Sequence, residues 1–119
     1  MSKYLISIHT DDNIVVNEYD DTEEFELEDF QAFVGGYIEV VPTCFSNKML
    51  ILVNETGKLD ELPYNKKASI IQHYTRYDLI LGDVVLVKLD GEEFVGFSEE
   101  EKDKIFNYLE WMTNDDDGI

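Results

Sequence analysis

Positive charge is nearly missing from the first part of this chain. No lysine or arginine occurs between residues 4 and 47, and Lys3 is the one basic residue before that gap. The whole chain has 27 Asp and Glu residues against 9 Lys and Arg residues, which gives a net charge of −18 and a pI near 4.1. This charge argues against direct binding to nucleic acid or to an anionic membrane, because both need positive side chains against phosphates. It favours a basic protein surface, a metal cation or no partner at all.

The negative charge is distributed unevenly. Residues 1–47 contain one basic and eleven acidic residues, residues 48–98 contain six and eight, and residues 99–119 contain two and eight. The first eleven acids are Asp11, Asp12, Glu18, Asp20, Asp21, Glu23, Glu24, Glu26, Glu28, Asp29 and Glu39. Like charges at this density repel one another, so they serve either solubility or the attraction of a cationic partner.

Cysteine and long apolar runs are also scarce. The single cysteine, Cys44, excludes an internal disulfide and is compatible with a reducing compartment. The longest uninterrupted apolar run, Met49–Val53, is far shorter than the roughly 20 residues that span a bilayer. No basic and apolar leader is visible at the N-terminus. These absences predict a soluble cytoplasmic protein with no membrane contact.

Motifs for catalysis, metals and cofactors are missing as well. Nucleophilic catalysis needs a base, and His9 and His73 are the two histidines, neither of them in a recognisable motif. Two histidines and one cysteine do not supply a zinc site, and neither Asp11-Asp12 nor Asp115–Asp117 continues into a calcium-binding loop. Gly35-Gly36 follows a predicted helix, whereas a phosphate-binding loop precedes one. We expect no enzyme activity, no metal and no cofactor.

The remaining composition predicts a folded body. Apolar residues make up 44% of the 119 residues, which is enough for a single domain, residues 1–119, with its acids on the surface. Alternating or continuous apolar residues between turn formers predict strands at 4–8, 14–16, 37–41, 49–53, 84–89 and 92–95. We expect an α+β domain with one mixed or mostly antiparallel sheet and two to three helices packed on it.

Three helices are predicted, at 26–34, 66–75 and 98–113. The first has an apolar i, i+3, i+7 spacing and ends at Gly35-Gly36. Asn65 caps the second, whose Ile70, Ile71 and Tyr74 are expected to point inward. The capping box Ser98–Glu101 begins the third, and the acidic tail after it is expected to fray. Its expected inward stripe consists of Ile105, Tyr108, Leu109 and Met112. Between the last two strands, Asp90-Gly91 predicts a two-residue type I′ turn.

Three segments together carry a family resemblance. The sequences VGGYIEVV at 34–41, LVNETGKL at 52–59 and LPYN at 62–65 resemble a small domain family of unknown function found in bacteria, their phages and plasmids. Residues 81–87 are similar to the closing strand of that family, so the resemblance covers roughly residues 27–98. It divides the domain into an acidic hairpin and helix at 1–34, a family-like core at 35–98 and a C-terminal helix. The resemblance implies a mobile-element origin and supplies no activity.

The main functional hypothesis follows from the acidic N-terminal part. Rows of carboxylates on a folded body can imitate the closely spaced phosphates of nucleic acid. We therefore expect a non-enzymatic phage or mobile-element protein that blocks a host nuclease or another nucleic-acid-binding or defence protein. The expected partner-binding residues are Asp11, Asp12, Glu18, Asp20, Asp21, Glu23, Glu24, Glu26, Glu28 and Asp29, with help from residues 99–117.

Three other interpretations stay open at the level of sequence. A small nucleotide-like ligand could bind near the turns of the family motif, at Tyr37, Asn54, Gly57, Tyr64 and Asn65. A pair of carboxylates could instead perform hydrolysis, although with 27 acids some pair always has a suitable spacing. The charge could also serve solubility alone.

Overall fold

The computed structural model of the chain describes residues 1–72 and 79–116. Along these residues, two strands followed by a helix occur three times, which gives six strands and three helices. They are β1 Ser2–Ile8, β2 Ile14–Asp20, α1 Leu27–Val34, β3 Ile38–Pro42, β4 Met49–Asn54, α2 Lys66–Ile71, β5 Val84–Asp90, β6 Glu93–Val95 and α3 Glu99–Asp116. The predicted α+β class is confirmed.

One sheet holds all six strands. The order is β2-β1-β5-β4-β3, and β6 pairs with β5. Every pairing between the named strands is antiparallel. β1 pairs with the first half of β5 and β6 with the second half. Hydrogen bonds between the backbones of Tyr4 and Phe97 continue this edge, at 2.9 and 2.7 Å.

Helices cover both faces of the sheet. They bury the apolar side chains that β1, β4 and β5 have on both sides. One face packs against α2 and α3, and its buried residues include Ile6, Ile51, Leu86, Ile71 and Leu109. The other face packs against α1, and its buried residues are Leu5, Phe30, Leu50, Leu52, Val85 and Val87. The continuous run at 49–53 predicted this arrangement, since only a strand buried on both faces needs side chains that are apolar without alternation.

The first helix ends as its glycine predicts. Gly35 has φ +77°, and its N–H donates to the carbonyl of Gln31 at 2.8 Å. The predicted type I′ turn at Asp90-Gly91 is wrong in position by one residue and also in type. Asp90 pairs with Glu93, so the two loop residues are Gly91 and Glu92. Positive φ occurs at Gly91 and not at Glu92, which is the pattern of a type II′ turn.

Two predicted helix faces need correction. α2 has only six residues, and Ala68 and Ile71 fill its inward positions, so Ile70 is 46% exposed instead of buried. Residues 73–75, including Tyr74, lie outside the described residues. In α3 Leu109 is fully buried, but Tyr108 lies at the edge of the stripe, is 42% exposed and packs edge-on against Phe45. The helix also continues to Asp116, beyond its predicted end at 113.

Candidate interaction site at an acidic corner

The structure separates the ten predicted partner-binding acids into three groups. The first group, Asp11 and Asp12, lies in the loop between β1 and β2. That loop follows the pair Ile8 and Ile14, whereas Asp20 pairs with Ser2 at the other end of the hairpin. Seven strand residues at about 3.3 Å each separate these ends by roughly 20 Å.

The second group is Glu18 with Asp20, on β2. Glu18 pairs with Tyr4 of β1, so the two side chains lie on the same face of the sheet. That face belongs to α3, because Lys102 of α3 lies 4.6 Å from the centre of the Tyr4 ring. Glu18 accepts a hydrogen bond from the Ser2 hydroxyl at 2.6 Å.

The third group forms the candidate site, which we call the acidic corner. It lies where the end of β2, the start of α1 and the β5–β6 hairpin meet around an open groove of about 540 Å³. We define the acidic corner as the six acids at residues 21–29 together with one acid of β6: Asp21, Glu23, Glu24, Glu26, Glu28, Asp29 and Glu93.

An aromatic chain connects these elements beneath the acids. Tyr19 packs edge-on against Phe25 with ring centres 5.0 Å apart, Phe25 lies 5.6 Å from Phe30, and Phe30 lies 5.7 Å from Phe94. Burial raises the pKa of Tyr19, and the charges of Asp29 and Glu23 raise it further. The Tyr19 hydroxyl therefore lies close enough to interact electrostatically with one carboxylate of α1 and with one of the segment between β2 and α1.

Lys3 is the cation in this groove. Its ammonium lies 4.5 Å from the centre of the Phe25 ring and donates to the backbone carbonyl of Glu23. Lysine–carboxylate ion pairs between described residues involve Glu100, Glu101 and Asp103, and none involves an acid of the corner.

Several of the predicted acids have a structural role in turns and caps. Asp11 accepts hydrogen bonds from Asn13, and Asp20 accepts them from Thr22. Asp29 accepts from the backbone N–H of Glu26 at 2.7 Å and so caps α1. These carboxylates hold the local backbone, which explains part of the acidic composition without any partner.

Other acids of the corner have no such role. Within the described chain, the side chains of Asp21, Glu24, Glu28 and Glu93 are exposed and make no hydrogen bond or ion pair. Glu28 lies in the first turn of α1, where the helix dipole favours a carboxylate, but no side-chain contact within the described chain holds any of the four, so they are available to a partner.

α3 packs on the face of Ile6 and Leu86, whereas α1 packs on the face of Leu5 and Val85. At the edge of the sheet, however, Glu101 of α3 lines one groove together with Asp21 of the corner. Of the acids at 99–117 that were expected to help, Glu101 therefore lies beside the corner. Residues 117–119 lie outside the described part of the chain.

Two residues of the alternative ligand site line a pocket, and two more lie beside it. Asn54 and Gly57 line this pocket, of about 230 Å³, together with Leu81. Tyr37 and Tyr64 are exposed and contact the lining through their backbones, since the Tyr37 carbonyl accepts from the Glu55 N–H and Tyr64 pairs with Leu81. The Asn54 amide donates to the carbonyl of Val34 and accepts from Thr56, so both of its ends bind the protein itself.

Asn65, the fifth residue of that set, is completely buried. Its side chain accepts from the Ala68 N–H as the cap of α2 and donates to the carbonyls of Ile8 and Gly82, each at 2.9 Å. Its described contacts are those of a structural residue.

One constellation has the connectivity of a catalytic triad. The Ser7 hydroxyl lies 3.2 Å from His9 Nε2, and His9 Nδ1 lies 3.0 Å from Asp83 Oδ2. Ser7, however, is 2% exposed and lies in the middle of β1, between β2 and β5. A substrate carbonyl cannot reach its Oγ while the sheet is intact, so we interpret the trio as a clamp between the β1–β2 loop and the start of β5.

Two further types of feature are absent from the same described residues. These residues include no cluster of three or more His, Cys, Asp or Glu side chains that could hold a metal ion. They also include no helix that is long and apolar enough to cross a membrane.

Sequence reasoning missed Glu93, Phe94 and Lys3 as parts of the corner. The β5–β6 hairpin was predicted, but its position beside α1 depends on β6 pairing with the same edge of β5 as β1 does. No local pattern carries that information. The Asp90-Gly91 pattern predicts the turn of this hairpin but not its position beside α1.

Comparison with known proteins gives a family and no activity. Residues 4–110 match the family described as "Domain of unknown function (DUF3846)". The match is wider than the resemblance over 27–98, because it includes the acidic hairpin and most of α3. No curated protein matches the chain, and no solved structure does.

Proposed function

Because the chain belongs to this family of domains of unknown function, whose description assigns no activity, we propose from the geometry that the domain binds a basic protein surface through the acidic corner. The observation that carries the proposal is the set of exposed carboxylates that make no hydrogen bond or ion pair within the described chain, namely Asp21, Glu24, Glu28 and Glu93. Repulsion between like charges that are held close together destabilises the free protein, and a cationic surface that covers them reduces this repulsion.

The floor of the groove supports the same function. Phe25, Phe30 and Phe94 line it between the acids, which gives a small apolar area with a charged rim. Protein interfaces combine buried aromatic anchors with a polar rim in this way. The position of Lys3 over Phe25 shows that the ring faces suit an ammonium, and a lysine or arginine of a partner would find the same type of site.

The finer form of the proposal concerns what the partner normally binds. A carboxylate cluster on a rigid body offers a basic groove some of the field that a nucleic-acid backbone offers. We propose that the partner is a nucleic-acid-binding protein of the host, and that the domain, encoded by a phage or another mobile element, occupies its basic groove. The charge and the free carboxylates support this form, and the resemblance suggests its setting.

The test compares three baits in affinity capture from host lysate. One is the wild-type chain. The second is the corner variant, with Asp21→Asn, Glu24→Gln, Glu28→Gln and Glu93→Gln. The third is the control variant, with Glu39→Gln, Glu55→Gln, Glu61→Gln and Glu110→Gln, which are exposed acids outside the corner. Both variants have a net charge of −14, since four negative charges are removed from −18.

Capture should depend on position rather than on total charge. We expect a protein that the wild-type and control baits retain, that the corner bait loses, and that elutes as salt rises. Added DNA or RNA should displace that protein from the domain if the finer proposal holds. Equal retention by the corner and control baits would remove the corner as the binding site.

A further inference from the structure

A second groove, on the α3 side of the sheet, has the opposite charge. It lies between β4, β5 and α3 and has a volume of about 280 Å³. Met49, Phe97 and Ile105 form its apolar floor, and all three belong to or pack against the buried core of that face. The groove therefore opens directly onto apolar core residues.

Three lysines form its rim. They are Lys48 at the start of β4, Lys88 on β5 and Lys104 on α3, and Glu101 is the one carboxylate in the same lining. Acids outnumber bases three to one in the whole chain, and this ratio is reversed here. The sheet fixes part of the arrangement, because Met49 pairs directly with Lys88 and places the ammonium beside the apolar floor.

Existing ion pairs leave positive charge available in the groove. Lys88 Nζ lies 3.0 Å from Glu101, so this lysine is paired once. Lys104 lies 3.3 Å from Glu100, but their side chains are 77% and 81% exposed, and such a surface pair contributes little. Within the described residues the Lys48 ammonium has no carboxylate partner.

From this combination we infer a binding site for a small anionic amphiphile, a molecule with an apolar body and one carboxylate. The apolar body would cover Met49, Phe97 and Ile105, and the carboxylate would lie at the rim near Lys48 and Lys104. The combination of a lysine rim and an apolar floor does not suit a cation or a fully polar anion. A cation would meet three lysines, and a fully polar anion would leave the apolar floor exposed to water. The inference does not rest on the acidic corner, since the apolar floors of the two grooves belong to opposite faces of the sheet.

Titration with decanoate, observed by ¹⁵N NMR of the full chain below the micelle-forming concentration, tests the inference. Decanol serves as the uncharged probe with the same apolar body. The rim variant carries Lys48→Gln and Lys104→Gln. Its charge-matched control carries Lys58→Gln and Lys66→Gln, which lie outside this groove.

Decanoate should shift amides around residues 46–49, 88, 97 and 101–105. The rim variant should weaken decanoate binding about fivefold, the size expected for two exposed ion pairs, and leave decanol binding unchanged. The control should bind decanoate like the wild type. Equal affinity for decanol and decanoate, or shifts centred elsewhere, would overturn the inference. So would stronger binding of hexaglutamate at the same amides, which would assign the groove to an acidic protein segment.

Discussion

At the scale of single residues, the acids of this protein fall into two classes, those whose carboxylates accept hydrogen bonds from the protein and those whose carboxylates accept none. Asp20 and Asp29 accept hydrogen bonds from nearby backbone or side-chain donors, whereas Asp21 and Glu24 make none. Composition cannot separate these classes, because both are exposed carboxylates in one short stretch. The hydrogen bonds of each carboxylate separate the two classes, and the class without hydrogen bonds contains the acids that a partner could use.

Titration of Tyr19 tests whether the corner is assembled as described. Because its pKa is raised in the folded state, native Tyr19 keeps its proton where the unfolded chain has lost it. Stability from this residue is therefore present below the unfolded pKa of about 10 and is lost as pH rises through the folded pKa. Asp29→Asn or Glu23→Gln should lower the Tyr19 pKa, measured by the ¹³Cζ shift. Glu110→Gln is the control, and equal effects from all three would contradict the proximity of these groups.

A second residue-scale prediction concerns Asn65. Asn65→Ala removes the cap of α2 and leaves two buried carbonyls, of Ile8 and Gly82, without their donor. A cap contributes about 1 kcal/mol, and a buried polar group without a partner costs about 1–3 kcal/mol. Urea unfolding should therefore show a loss of about 3 kcal/mol. The exposed Asn107→Ala in α3 should change the free energy of unfolding by less than about 0.5 kcal/mol, and a similarly small loss at Asn65 would refute its structural role.

At the scale of elements, the helix ends are where local sequence determined structure most directly. Ser98 and Glu101 form the predicted capping box of α3: the Ser98 N–H donates to Glu101 at 2.9 Å, and the Glu101 N–H donates to Ser98 Oγ at 3.2 Å. Burial raises the pKa of Glu101, but hydrogen bonds from Ser98 and Lys88 outweigh that effect and hold the pKa below its usual value. The carboxylate is therefore ionised at neutral pH and pairs with Lys88 of β5.

Ser98→Ala tests the importance of that cap. Loss of the Oγ acceptor should reduce the free energy of unfolding by about 1 kcal/mol, measured by chemical denaturation. Ser98→Thr keeps an acceptor at the same position and should restore most of the loss. If alanine and threonine behave alike, the hydroxyl does not cap α3.

Sequence predicted the elements better than their assembly. The strand alternation, Gly35 and the Ser98 cap are local signals, and each element that they predict is present. The inward face of α2 failed at Ile70 because a six-residue helix has so few inward positions that Ala68 and Ile71 occupy them. Six of the seven acids of the corner were in the predicted set, but their grouping with β6 and the lysine groove could not be predicted, because each joins segments that are far apart in sequence through β5 pairings.

At the scale of the whole molecule, the net charge of −18 acts on stability as well as on binding. Repulsion among the acids destabilises the compact state, and salt screens it over a Debye length of about 30 Å at 0.01 M and about 10 Å at 0.1 M. The melting temperature should rise by a few degrees between these salt concentrations. The corner and control variants, each at −14, should show a smaller rise. A melting temperature that falls with added salt would mean that attractive ion pairs dominate instead.

The central claim is that a specific part of this charge, the acidic corner, binds a basic surface. Its most direct test is the salt dependence of the dissociation constant for the captured partner, measured with wild-type, corner-variant and control-variant protein. The account predicts steep weakening with salt for the wild-type and control chains, and weaker binding with a flatter salt dependence for the corner variant. Indistinguishable affinities and salt dependences for the corner and control variants would contradict it.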